Sequence, residues 1–243
     1  MSAVGIVGAG RAGLAVARAL RSAGWQVTVF HRDDAVAPDI LLMLLAVPDA
    51  AIPAAAARLS VGPNHTVLHL AGPLGVEALA PLRDSGAALG AWHPLLSLRG
   101  EATDPALFRG ALAALDGDER AVAVGRDLAD TVGMVPVVVR GPDRVRYHAG
   151  AVFAANYLVT LTRVAERLMV ESGVPPEVVG HGVRRLMESA VGGALTGPIA
   201  RGDWHTVRQH LAALEGPTAD LYRLFAHATA EQANRTLPED LAG

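Results

Sequence analysis

Up to Val139 the chain alternates short apolar runs with alanine-rich stretches of helical period, the rhythm of strand, turn and helix repeated several times. Val4, Ile6 and Val7 form the first run, a helical pattern extends to about Gly24, and Gln26 to Phe30 reads as a second strand. Ile40 to Val47 is apolar without alternation, as expected of a strand buried on both faces of a parallel sheet. An alanine-rich helix through Leu59 follows, then a strand at His65 to Leu70, a helix from about Gly75 to Ser85, and a strand at Ala87 to Trp92. Gly100 to Leu115 reads as a connection and helix, Ala121 to Gly125 as a strand, Arg126 to Gly133 as a short helix, and Val135 to Val139 as the last strand. Arg140 to Arg146 is polar and turn-rich, and beyond it the pattern is wholly helical. Helices are expected over Tyr147 to Ser172, from Pro175-Pro176 to about Ala194, from an N-cap at Asp203 to Leu214, and from Gly216-Pro217 through Asn234.

The turn after the first run is Gly8-Ala9-Gly10-Arg11-Ala12-Gly13, a GxGxxG spacing between strand and helix. Gly8 suits a backbone conformation closed to other residues, Gly10 lets a pyrophosphate approach the main chain, and Gly13 lets helix and strand pack closely. The phosphates would then meet free amides at the helix N-terminus, with Arg11 and Ala12 in its first turn. The fold class is therefore α/β: an N-terminal Rossmann-type, mostly parallel sheet over residues 1–143 and a C-terminal all-helical domain over 144–243.

Where an enzyme preferring NAD would place an acidic residue at the end of the second strand, this chain has His31-Arg32. A guanidinium there suits a ribose 2′-phosphate, which points to NADP(H), although Asp33 and Asp34 also allow a solvated arginine in a turn. Val47 and Pro48 end the third strand, at the position expected to lie beside the nicotinamide.

Ligands in open α/β sheets bind outside the carboxyl ends of the strands, which brings forward His93, followed by Pro94. Imidazole is well matched to proton transfer near neutral pH. His69 lies inside an apolar strand and reads as a core imidazole or, less directly, as a second site histidine. In the helical half, His148, Asn156 and Thr160 place a polar patch on an apolar helix, able to bond either a substrate or a neighbouring helix. The segment Gly192 to Asp203, with Thr196 and Arg201, reads as a wall of the site or as a double cap.

Composition narrows the chemistry. Of 243 residues 51% are hydrophobic and 19% charged, with a formal net charge of −3, which does not fit a nucleic-acid binder. There is no cysteine, so thiolate catalysis, disulfides and zinc–thiolate sites are excluded. All 21 basic residues are arginine, which excludes any step needing a lysine. His205 and His210 are a poor metal pair, so no metal site is expected. The apolar run Ile40 to Val47 is too short to span a bilayer and no basic, apolar leader is seen, so a cytoplasmic protein without membrane contact is expected.

With GAGRAG, AVPD, a strand ending in His93-Pro94, YHAGAVFAANYLVTL from Tyr147 and ALTGPIARGD from Ala194 in view, the chain resembles an uncharacterised bacterial family. Its members join a Rossmann-like NADP oxidoreductase domain to a C-terminal helical domain of unknown function. The resemblance implies a place in the wider 6-phosphogluconate dehydrogenase-like group, with pyrroline-5-carboxylate reductase, ketopantoate reductase and prephenate dehydrogenase. It also implies a homodimer through the helical domain and an active site between domains. The lysine mechanism of ketopantoate reductases does not transfer. His93-Pro94 is similar to the His-Pro of prephenate dehydrogenases, but Leu95 to Leu98 stand where Gly-Thr-Glu would follow. The loop around Thr196 is similar in placement to the substrate loop of pyrroline-5-carboxylate reductase. The expected function is reduction by NADPH of a C=O or C=N bond in a small, carboxylated metabolite, with His93 or His148 handling the proton and Asn156 and Thr196 orienting the substrate. The alternative is a dinucleotide-binding sensor or scaffold without chemistry.

Overall fold

The computed structural model describes residues 3–31, 34 and 39–242. β1 (Ala3–Val7) passes through the glycine turn into α1 (Arg11–Ser22), and β2 (Gln26–Phe30) pairs parallel with β1. The chain then crosses to the other side of β1, where β3 (Leu42–Leu45) pairs with it, also parallel. The short helix α2 (Ile52–Ala56) leads to β4 (Thr66–His69) and β5 (Ala88–Pro94), which extend the parallel sheet. β6 (Leu112–Gly117) runs antiparallel to β5, α3 (Glu119–Thr131) returns the chain, and β7 (Val135–Val138) lies parallel to β6. The strand order is β2-β1-β3-β4-β5-β6-β7, a mostly parallel sheet as the apolar runs predict.

Alternation along the strands feeds two cores. Leu42, Leu44, Leu68 and Trp92 face Val16 and Leu20 of α1 and Leu128 of α3. Met43, Leu45, Val67 and Leu89 face Ile52 and Ala56 of α2 and Leu79 and Leu82 of a run of 3₁₀ turns. With both faces covered, the central strands carry no polar face, and Leu42 to Leu45 are all buried.

The structure corrects some of these expectations. Gly100 to Leu115 holds short 3₁₀ turns, Gly100–Ala102 and Pro105–Phe108, and then strand β6, not a helix. Its residues Leu-Ala-Ala-Leu are apolar enough for either state, and the sheet's need for a doubly buried strand decides. Ala121 to Gly125 is not a strand: it joins the expected short helix in α3, because the Asp118 carboxylate accepts from the Ala121 amide (2.8 Å) and caps the helix upstream. The helix expected from about Gly75 to Ser85 is present at Val76–Ser85 as 3₁₀ turns, broken at Leu79 and carrying Pro81, which lacks an amide hydrogen.

The stretch expected as one helix from Tyr147 begins earlier, with α4 (Asp143–Val152), and passes through a π-helical turn at Phe153–Tyr157 into α5 (Leu158–Glu171). Contacts divide the chain into two compact units, Met1–Asn156 and Tyr157–Gly243, so α4 belongs with the sheet. In the second unit α5 packs against α6 (Pro176–Ala190). The helix expected to reach Ala194 ends at Ala190, where Val191 turns extended and Gly192 takes φ +77°. Ile199 of α7 (Pro198–Arg201), Val207 of α8 (Trp204–Ala213), Ala226 and Ala230 of α9 (Gly216–Gln232) and Leu241 of α10 (Glu239–Ala242) form its small core. Asp203 caps α8 as the sequence predicts, accepting from the Thr206 amide at 3.1 Å.

The join of α1 to β1 yields a stability test. A Cβ on Gly13 would stand 1.9 Å from the Gly8 carbonyl oxygen, whereas one on Gly10 would meet nothing within 4 Å. Gly13→Ala is expected to lose about 1–3 kcal/mol in urea unfolding, and Gly10→Ala to stay within about 0.5 kcal/mol of the parent.

Candidate functional site

The strand order reverses between β1 and β3, and open sheets bind ligands outside the strand ends at such a reversal. A cleft of about 590 Å³ lies there. Gly8 and Gly10 line one side, Ala46, Val47 and Pro48 after β3 another, with His31 and Asp34 after β2, Ala55 of α2 and Arg58 just beyond it. Gly8 takes φ +117°, and a Cβ there would meet the Ala46 carbonyl at 2.5 Å, so the turn requires glycine. Gly10 precedes α1 with no side-chain cap, and the first turn of α1 holds no acidic residue. Its amide hydrogens are thus available to an anion, and the missing side chain leaves room for a pyrophosphate. These residues fit a dinucleotide. After β2 the Asp34 carboxylate accepts from the His31 amide at 2.6 Å. Arg32 lies outside the described residues. Arg11 and Ala12 sit in the first turn of α1, Arg11 exposed and Ala12 packed on the core.

A second polar cluster stands at the carboxyl ends of β4 and β5, on the same sheet edge. His93 is the penultimate residue of β5. Its Nδ1 lies 3.0 Å from the Tyr147 hydroxyl, and its ring meets those of Tyr147 and His148 edge to face, at 5.7 and 5.9 Å. Gly72 makes this packing possible: a Cβ there would lie 2.3 Å from His148 Cδ2 and 3.0 Å from His93 Nε2. Beneath them Arg144 is fully buried. It donates to the carbonyls of Ala71 at 3.0 Å and Val139 at 3.3 Å, and its Nε has no partner among the described residues. Buried Asp116 accepts from the amides of Gly117 and Gly141 and, with Glu77, supplies counter-charge.

Burial, then the charge of Arg144 and the neighbouring histidines, pushes His93 down to about 4, so it is neutral at physiological pH. Burial pushes the Tyr147 phenol up, against the opposing pull of Arg144, and keeps it protonated. His69 is buried and bonded through Nε2 to the Gly75 carbonyl at 2.9 Å, which makes it a core imidazole. Burial lowers its pKa as well.

The structure thus brings His93 and His148 together, and separately gathers Gly8, Gly10, His31, Val47 and Pro48 around one cleft. Asn156 is exposed on the π-helical turn, an element found often at functional sites. Thr196 is exposed in the second unit, where its carbonyl accepts from Arg201. The sequence reading missed Tyr147, Arg144 and Gly72. The one signal available was the run Arg144-Val-Arg-Tyr-His148, whose i,i+3 spacing puts Arg144 and Tyr147 on one side of a helix.

Residues 111–229 match the model of a domain of unknown function, DUF2520. No curated protein matches the sequence. Among solved structures, the fold is similar to a Bacteroides fragilis protein described as a candidate NADP oxidoreductase, with TM-score 0.77, 18% identity, and 95% of this chain and 98% of that one covered. It is similar also to protein TM1727 of Thermotoga maritima, with TM-score 0.71, 23% identity and coverage of 96% and 100%. A third is the pyrroline carboxylate reductase of Plasmodium falciparum solved with NADP bound, with TM-score 0.63, 12% identity and both chains fully covered. These likenesses establish a shared Rossmann-type fold.

The depressed pKa of His93 has a measurable consequence. Between its ordinary 6.5 and about 4 the unfolded chain takes up a proton that the folded chain does not. Stability is therefore expected to fall as pH drops through that window, by about 2 kcal/mol between pH 8 and pH 5. Urea unfolding at both pH values should show His93→Gln losing that part of the acid sensitivity.

Proposed function

We propose that this protein is a dinucleotide-dependent oxidoreductase that binds NADP(H) and reduces a C=O or C=N bond of a small, carboxylated metabolite. The observation that carries this reading is the shared sheet edge of the glycine cleft and the His93 cluster. β1, β3, β4 and β5 are parallel, so their carboxyl ends point the same way. The glycine turn after β1 and His93 on β5 are three strand steps apart, roughly 14 Å at about 4.8 Å per step. When bound, the nicotinamide supplies or accepts hydride. Gly8, Gly10 and the amides of α1 hold the pyrophosphate, Arg32 pairs with the 2′-phosphate, and Val47 and Pro48 wall the nicotinamide end. His93, with His148 beside it, handles the proton, and Asn156 orients the substrate. The NADP-bound Plasmodium relative and the Bacteroides protein of similar fold support the choice of cofactor.

The helical unit is read as the contact to a second copy. Leu158, Val159 and Val170 of α5 and Val178 and Leu186 of α6 are exposed, and α5 has no buried residue at all. Such a face on an amphipathic helix is favourable only when covered. No described helix is long and apolar enough to cross a membrane, so lipid-spanning helices do not account for these side chains.

Calorimetry should find NADPH binding at least tenfold tighter than NADH, and Arg32→Ala should remove that preference, worth about 1.4 kcal/mol or more. Failure to bind either nucleotide would reduce the glycine turn to a structural role. Binding without turnover across a panel of keto acids and cyclic imines would favour the sensor reading. Light scattering at micromolar concentration is expected to give the mass of two chains; a monomer removes the dimer.

A further inference from the structure

Resting on the oxidoreductase reading, we propose that Tyr147 and His93 form a two-step proton relay in which the Tyr147 hydroxyl refills His93 Nδ1 as His93 Nε2–H protonates the substrate, with Arg144 placed to hold the phenolate that results. The geometry starts from the 3.0 Å bond between His93 Nδ1 and the Tyr147 hydroxyl. A neutral imidazole has one donor and one acceptor nitrogen. A phenol hydrogen needs an acceptor, and the one that the described contacts provide is Nδ1. That leaves the proton on Nε2, the nitrogen packed towards Gly72, where a Cβ would stand 3.0 Å from it.

Reduction leaves a lone pair on the substrate oxygen or nitrogen once carbon has gained hydride. That atom takes the Nε2 proton, and the Nδ1 lone pair takes the Tyr147 proton. The imidazole returns to neutrality as the other tautomer, and the net charge change is one phenolate. Without Tyr147 the same transfer would leave an imidazolate, far too basic to form at neutral pH.

The phenolate would form beside a cation that cannot leave. Arg144 lies three residues before Tyr147 on α4, is wholly buried, and is pinned by the carbonyls of Ala71 and Val139. The remaining charged and titratable groups around the pair are His69 on β4, Glu77 in the 3₁₀ segment, Asp116 on β6 and His148 on α4, with the two carboxylates offsetting part of the guanidinium charge. Arg144 therefore acts as a positioning residue through Tyr147 and needs no contact with substrate. Tyr147 is only half-buried, so solvent can return its proton.

Nitrogen-15 NMR of ring-labelled histidine in the intact chain tests the relay without a substrate, with the His93 signals identified by their loss in His93→Gln. The wild type is expected to show His93 as the Nε2–H tautomer from pH 6 to 9, and Tyr147→Phe to lose that preference. Carbon-13 NMR of the tyrosine Cζ should show the Tyr147 ionisation midpoint moving to higher pH in Arg144→Leu. Because that variant removes a buried ion and can fail to fold, the Tyr147→Phe measurement carries the test by itself. An Nδ1–H tautomer in the wild type, or an unchanged His93 spectrum in Tyr147→Phe, overturns the relay. Either result alongside intact NADPH binding sinks the relay alone, whereas loss of NADPH binding with the expected tautomer removes the oxidoreductase reading instead.

Discussion

Parallel pairing of β1, β3, β4 and β5 is the constraint on which the rest of the first unit depends. It sends the ends of all four strands to one edge, and the reversal of strand order at β1 opens a crevice there that no crossover can close. Parallel pairing also demands cover on both faces, hence the helices on one side and α2 with the 3₁₀ run on the other. The glycine turn is a consequence of that packing as much as of any ligand. Gly13 lets α1 lie against the turn so closely that the N-terminus of α1 opens onto the crevice.

The second element of the site is a buried cation. Arg144 has no exposed surface, yet its guanidinium bonds are to main-chain carbonyls rather than to a carboxylate. A buried charge held this way costs folding free energy unless nearby carboxylates offset it, and Asp116 and Glu77 do so at a distance. What the arrangement gains is a fixed field under His93 and Tyr147. That field opposes a proton on the imidazole and favours loss of one from the phenol, and it changes little with solvent or salt because the guanidinium is buried.

Legibility in the sequence followed the range of the interactions. The glycine turn, the doubly buried β3 and the Asp203 cap were readable because each is decided by residues within a few positions of one another. β6 and α3 were not. Leu-Ala-Ala-Leu and Ala-Val-Ala-Val have nearly the same local preference, and the sheet chose between them by taking Leu112 to Gly117 beside β5. His93 could be placed at the sheet edge because a strand end is a local feature, but its hydrogen-bond partner Tyr147 lies 54 residues away, at the start of a stretch read only as a helix.

By itself the sequence determined the class of fold, the glycine turn with the uncapped helix end that follows it, and the exclusion of lysine and thiolate chemistry, since these follow from local pattern and composition. Only the tertiary structure decided which side chains share an environment. The burial of Arg144, the neutrality of His93 and its bond to Tyr147 arise where β4, β5 and α4 exclude water together, and desolvation belongs to the assembled elements rather than to any one segment of the chain.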